Sequence, residues 1–172
     1  PLAAARHFPA IDWLGSYSLY AEELESWFSK NVSSRWGPNR RQALAILQEE
    51  KRLQEIVQLV GPDALPDADK VTLHIARMIR EDFLQQHAYS DEDSYCPLDK
   101  QGKILDAIMR FGDKIRGLQK QGVAVSQLIH HSLDNQIAKL KWLNEQEFES
   151  AFQNICHQIE TLDAEFTLEM SN

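Results

Sequence analysis

The sequence has no apolar run near the roughly 20 residues that a membrane-crossing helix needs, and no apolar–polar alternation long enough to build a sheet. It holds only seven glycines and six prolines, which excludes collagen-like and linker-like chains. None of those glycines fits G-x-x-x-x-G-K-[ST], the pattern in which backbone N–H groups cradle phosphate. Gly102-Lys103 is followed by Ile104 and has no glycine five positions upstream. H-E-x-x-H, paired C-x-x-C and G-x-S-x-G are absent too, so the chain carries no complete catalytic constellation of its own. Basic residues are outnumbered, 18 Lys and Arg against 26 Asp and Glu, for a net charge of -8. That balance argues against nucleic-acid binding, which needs clustered cations, and fits a basic partner better than an acidic one. Two cysteines without a signal sequence, Cys96 and Cys156, read as reduced cytosolic thiols that serve as small apolar residues. His130 and His131 are adjacent and would point about 100° apart on a helix, which suits the edge of a core better than a metal site.

What is present is helical patterning in a length that suits one domain, 172 residues with 43% hydrophobic and 26% charged content. The first fifteen residues begin without a start methionine. Their stretch Arg6 to Leu14 is too apolar and aromatic for a free tail, as if cut from something larger and meant to pack against it. From Ser18 to Lys30, Leu19, Tyr20, Leu24, Trp27 and Phe28 recur at helical spacing. Asn31 to Asn39 reads as a loop. Arg40 to Val60 reads as a long helix, with Leu44, Ile46, Leu47, Leu53, Ile56, Val57 and Val60 inward. Val71, Ile75, Met78, Ile79 and Phe83 form the stripe of a partner helix ending near Gln86.

Between these two helices lies Gly61-Pro62-Asp63-Ala64-Leu65-Pro66-Asp67-Ala68-Asp69. Gly61 can take the left-handed conformation that ends a helix, and Asp67 can cap the next one. The corner is expected to expose three carboxylates and one apolar residue, Leu65. Taken alone, an acidic turn of this kind is ordinarily a solvated loop. Further on, Asp99 can cap a helix from Lys100 to Gln121 that Gly122 closes. Ser126 starts another through Ile129, Leu133, Ile137 and Leu140, and Phe148, Phe152, Ile155, Ile159, Leu162 and Phe166 form a coiled-coil-like seam. The predicted fold class is all-α, a helical bundle of about five or six helices preceded by a non-helical N-terminal segment.

Three ordered segments carry a resemblance: Phe8 to Tyr20, the hairpin Leu53 to Lys70, and Phe83 to Leu98. Together they resemble the C-terminal part of the catalytic A subunit (alpha chain) of V-type and A-type rotary ATP synthases. The likeness is weak after about Gln121. It implies an upstream β-barrel and phosphate-loop domain, with residues 1–17 the end of the nucleotide-binding domain and residues 18–172 the C-terminal helical bundle. The parent would make or hydrolyse ATP with magnesium, couple this to rotation and to proton or sodium transport, and sit in the cytoplasm as a peripheral part of the catalytic sector. The fragment itself would be inactive, with no nucleotide tightly bound.

The same resemblance implies site residues. Phe8 falls where the related F-type beta subunit stacks a tyrosine on adenine, and Tyr89 where the family usually has a phenylalanine. Phe8, Pro9, His87, Ala88 and Tyr89 are therefore expected at an adenine pocket. His87 and Asp12 stand where asparagine is common. The acidic corner matches in place the rotor-facing helix-turn-helix of the F-type beta subunit, which turns the reading of Asp63, Leu65, Asp67 and Asp69 from solvated loop to rotor contact. Implied partners are the central-stalk subunits and non-catalytic B subunits in an alternating hexamer, with no nucleic acid and no direct membrane insertion. The rival reading is a free-standing helical scaffold or adaptor with no enzymatic parent.

Overall fold

A computed structural model of the chain describes residues 8–16, 18–87 and 89–170. In order, the elements are α1 (Glu25–Asn31), α2 (Trp36–Val60), a 3-10 turn (Pro62–Ala64), α3 (Asp67–Met78) running directly into a π-helical turn (Ile79–Leu84), α4 (Asp91–Ser94), α5 (Leu98–Lys120), α6 (Val125–Leu128), α7 (Ser132–Lys139), a second 3-10 turn (Leu140–Trp142) and α8 (Glu145–Met170). There is no strand among the described residues, and the expected all-α bundle is present.

α5 is the centre. Its spacing places Ile104, Leu105, Ile108, Met109, Ile115 and Leu118 inward, and all six are buried together with Ala107 and Phe111. The α2–α3 hairpin packs on one part of this surface and α8 on another. A Cβ on Gly112 would come within 3.1 Å of Ile75 Cδ1, so the missing side chain is what lets α3 lie this close to α5. α8 contributes its predicted seam: Phe148, Ile155, Ile159, Leu162 and Phe166 are buried and Phe152 half-buried. Polar bonds lock the hairpin to α5. Buried Asp106 accepts from Asn39 Nδ2 at 2.9 Å and from Arg110 Nε at 2.6 Å, and pairs with Arg35 Nε at 2.6 Å.

Several boundaries differ from the sequence expectation, each for a local reason. The helix expected from Ser18 begins only at Glu25, after a run of turns. Its stripe lacks a facing helix, so Leu19, Tyr20, Leu24 and Trp27 stay exposed while Phe28 stacks on Trp36 with centroids 5.1 Å apart. α2 starts at Trp36 instead of Arg40, because Pro38 lies in the first turn, where its missing N–H costs no intrahelical bond. α5 starts at Leu98 behind Pro97, so Asp99 sits inside the first turn and pairs with Lys103 at 2.9 Å instead of capping. The single helix expected after Ser126 is split in two. His131 Nδ1 accepts from the Leu133 N–H at 3.2 Å, making this histidine the N-cap of α7, with its ring between Phe111 and Phe166. Both cysteines are free and half-buried.

Candidate functional site

Two ends of the bundle hold the residues singled out above. At the acidic corner, Gly61 takes φ 84 and ψ 159, a conformation that side chains disfavour, and its N–H donates to the Val57 carbonyl as α2 ends. Six residues then separate α2 from α3. Leu65, expected at the exposed tip, is instead only 5% accessible. The tight turn folds this apolar side chain inward, where burial is favourable, and leaves the flanking carboxylates outside. Asp67 also differs from expectation: Pro66 occupies the N-cap position, no side chain caps the helix, and Asp67 is the first helical residue, 3.7 Å from Lys70 Nζ. Asp63 and Asp67 are exposed and Asp69 half-buried. Asp67 and Asp69 both lie in the first turn of α3, where the positive end of the helix dipole favours them.

The second end is built where the N-terminal segment meets the chain leaving the π-helical turn. The Gln86 N–H donates to the Phe8 carbonyl at 2.7 Å. Phe8 is followed by a cis peptide bond to Pro9. On the far side, the His87 N–H donates to Asp93 Oδ2 at 2.6 Å, and the His87 carbonyl accepts from Ser94 Oγ at 3.1 Å and from the Ser90 N–H at 3.0 Å. This fixes the backbone of a short loop whose side chains point outward: Tyr89 is 95% accessible and Phe8 49%. The His87 and Tyr89 rings meet edge-on at 6.0 Å. Phe8, Pro9, His87 and Tyr89 thus share one end of the molecule. Ala88 lies outside the described residues.

Behind this loop is a polar scaffold that the sequence did not reveal. The π-helical turn closes with the Gln85 N–H donating to the Arg80 carbonyl at 2.9 Å. Lys141 Nζ donates to the carbonyls of Glu81 and Gln85 at 2.9 and 3.2 Å. Lys100, itself buried, donates from Nζ to the carbonyls of Lys141 and Leu143, both at 2.8 Å. Asp82 is buried within the π-helical turn and its Oδ2 makes no hydrogen bond. Burial pushes its carboxyl up to about 6, with Asp134 and Glu81 adding to the shift and Arg77 and Lys141 opposing it. Trp142 faces His87 at 5.5 Å between centroids. Lys100, Lys141 and Trp142 stand outside any motif, and only the placement of the turn after α7 brings them here.

The chain is similar to known proteins along most of its length. The family profile described as the C-terminal domain of V and A type ATP synthase matches residues 25–121. The second of two A subunits of the A-type ATP synthase in Methanospirillum hungatei is 53% identical over 140 residues, 81% of this chain and 24% of the relative. The A-type ATP synthase A subunit of Methanoculleus marisnigri is 48% identical over 150 residues, 87% of this chain and 26% of the relative. That of Methanosarcina barkeri is 47% identical over 165 residues, 96% of this chain and 28% of the relative. The chain spans about a quarter of the length of these relatives.

Proposed function

The chain belongs to the family of C-terminal domains of V- and A-type ATP synthases, and from that membership we propose that it works as the C-terminal helical domain of a catalytic A subunit. The parent protein would make or hydrolyse ATP while a central stalk turns, coupled to proton or sodium transport. Membership in this family weighs against the free-standing adaptor. The domain division expected from the sequence stands in this reading: residues 1–17 close the nucleotide-binding domain and residues 18–172 form the helical bundle.

The observation that carries the reading is the bond between the Phe8 carbonyl and the Gln86 N–H, which ties the incoming segment to the loop bearing His87 and Tyr89. Two aromatic side chains far apart in sequence are thereby held at one end with exposed faces, as a stacking slot for a purine base requires. Phe8, Pro9, His87, Ala88 and Tyr89 supply that slot. The phosphates, the magnesium ion and the attacking water belong to the upstream domain in this division of labour. Among the described residues there is no cluster of three His, Cys, Asp or Glu able to hold a metal ion.

At the opposite end Asp63, Asp67 and Asp69 face the central stalk, with buried Leu65 anchoring the corner from within. Non-catalytic B subunits are the lateral neighbours. No described helix is long and apolar enough to cross a membrane, and the parent protein is placed at the cytoplasmic, peripheral side of the assembly. The deciding experiment is steady-state ATP hydrolysis by the assembled complex carrying Tyr89→Ala. A raised KM with unchanged kcat supports the reading, and an unchanged KM removes this end from the nucleotide site.

A further inference from the structure

We propose that the turn Leu140–Trp142 is a third wall of the base-binding end, with Trp142 and Lys141 acting as positioning residues that set the orientation of His87 and of the loop leading to Tyr89. The proposal rests on the reading of that end as the base slot. It assigns a role to residues outside the 25–121 span that the family profile matches.

The contacts form one continuous linkage. Trp142 stands edge-on to His87 at 5.5 Å, and His87 stands edge-on to Tyr89 at 6.0 Å, both with interplanar angles of 65°. Three rings therefore follow one another from the turn to the exposed platform. Edge-to-face pairs of this kind restrict ring orientation as well as adding contact energy. Lys141 works on the backbone of the same loop: its Nζ takes the Glu81 and Gln85 carbonyls, the latter one residue before Gln86, whose N–H reaches Phe8. Its ammonium also lies 5.1 Å from the centroid of the Trp142 ring, favouring the orientation in which that ring meets His87.

The turn is itself held from behind. Lys100 Nζ donates to the carbonyls on either side of Trp142, those of Lys141 and Leu143, each at 2.8 Å. A buried ammonium spent on backbone carbonyls fixes the position of a turn with a rigidity that an exposed loop would lack. Trp142 nevertheless remains 44% accessible, so its ring is open at the surface beside His87. A residue placed only for core packing would be covered. The arrangement suits a ring that supports a neighbouring side chain at a site.

The test uses the assembled ATP synthase complex and ATP hydrolysis, comparing Trp142→Ala, Trp142→Phe and Tyr89→Ala. Loss of one edge-on aromatic support corresponds to about a two- to tenfold change in binding. Trp142→Ala is expected to raise the KM for ATP by that factor with kcat unchanged, and Trp142→Phe to restore it. If Tyr89→Ala raises KM and Trp142→Ala does not, the third wall is overturned while the base slot stands. If neither raises KM, both fall. If Trp142→Ala lowers kcat and leaves KM alone, the turn serves the fold and not the base, and the proposal is overturned. Should Trp142→Ala fail to assemble, Lys141→Met is judged on the same split between KM and kcat.

Discussion

His74 Nε2 lies 3.2 Å from Asp134 Oδ1, and Arg77 Nη2 donates to the other oxygen of the same carboxylate at 2.7 Å, so one acid on α7 takes two bases one helical turn apart on α3. Burial alone would raise the Asp134 carboxyl, but His74 and Arg77 outweigh it and hold the group below its ordinary value of 3.8. Asp82, on the π-helical turn and close enough to feel the same charges, goes the other way, up to about 6.

These opposite shifts predict opposite pH dependences. Asp82 binds its proton more tightly in the folded chain than in the unfolded one, where the value is about 3.9. Between about pH 4 and pH 6 the folded state therefore holds more protons, and stability falls as pH rises through that window. Asp82→Asn should abolish this slope, stabilising the domain by about 1–3 kcal/mol at pH 7 and changing little at pH 4. Urea unfolding of both forms at pH 4, 5, 6 and 7 checks it, and a mutant less stable at pH 7 contradicts it. Asp134→Asn should instead cost about 1–3 kcal/mol at pH 7, because two bases lose their partner. Its contribution, present at neutral pH, is lost only as pH falls through the depressed folded value below 3.8.

Gly61 gives a test of backbone strain free of steric contacts. A Cβ there would meet nothing within 4 Å, yet φ is +84°. With ψ 159 the residue lies in a region that is essentially reserved for glycine. Gly61→Ala should destabilise by about 1–3 kcal/mol despite the open space. A neutral result in chemical denaturation would show that the corner relaxes to another conformation.

The acidic corner predicts a separation of stability from partner contact. Asp63→Asn, Asp67→Asn and Asp69→Asn should each cost no more than about 0.3–1 kcal/mol, the worth of an exposed carboxylate near a helix N-terminus. Leu65→Ala should cost about 2 kcal/mol or more, since the side chain is buried. In the assembled complex, a cysteine at Asp63 should cross-link to the central stalk in a subset of the catalytic positions. One at Leu65 should do so poorly. Absence of cross-linking from Asp63 in every rotational state would remove the corner from the stalk interface.

The parts legible in the sequence are those where one periodic stripe meets one partner. Ile104, Ile108 and Ile115 on α5, and Phe148, Ile155 and Ile159 on α8, declared their inward faces by spacing alone and are all buried. Leu19, Tyr20, Leu24 and Trp27 show the same spacing and stay exposed, because periodicity describes a face and says nothing about whether a partner exists. Leu65 misled in the opposite direction: a turn rich in Pro and Asp reads as wet, but a tight corner can still point one residue inward. At the base end, Phe8 and Tyr89 were found through resemblance. Lys100, Lys141 and Trp142 were not, since a lysine that serves several backbone carbonyls leaves no pattern in the sequence around it.

The last prediction concerns nucleotide. Tyr89 is 95% accessible and Phe8 49%, so in the isolated chain the slot is an open platform with one solvated side. Stacking of a base on aromatic side chains is worth about 1–3 kcal/mol per base. Part of that is lost in ordering the ring and the base, while millimolar affinity already requires about 4 kcal/mol. The isolated chain should therefore bind ATP no better than millimolar and hydrolyse none, which calorimetry and a phosphate-release assay measure directly. Micromolar binding would mean that phosphate is gripped here and would overturn the division of labour between this domain and the one upstream. In the assembled complex the rest of the nucleotide is held elsewhere, and removing the platform subtracts only the stacking share. Tyr89→Ala should then raise the KM for ATP by about one to two powers of ten, the same energy expressed as a ratio. kcat should remain nearly constant, because binding lost equally from the ground and transition states leaves the chemical step unchanged.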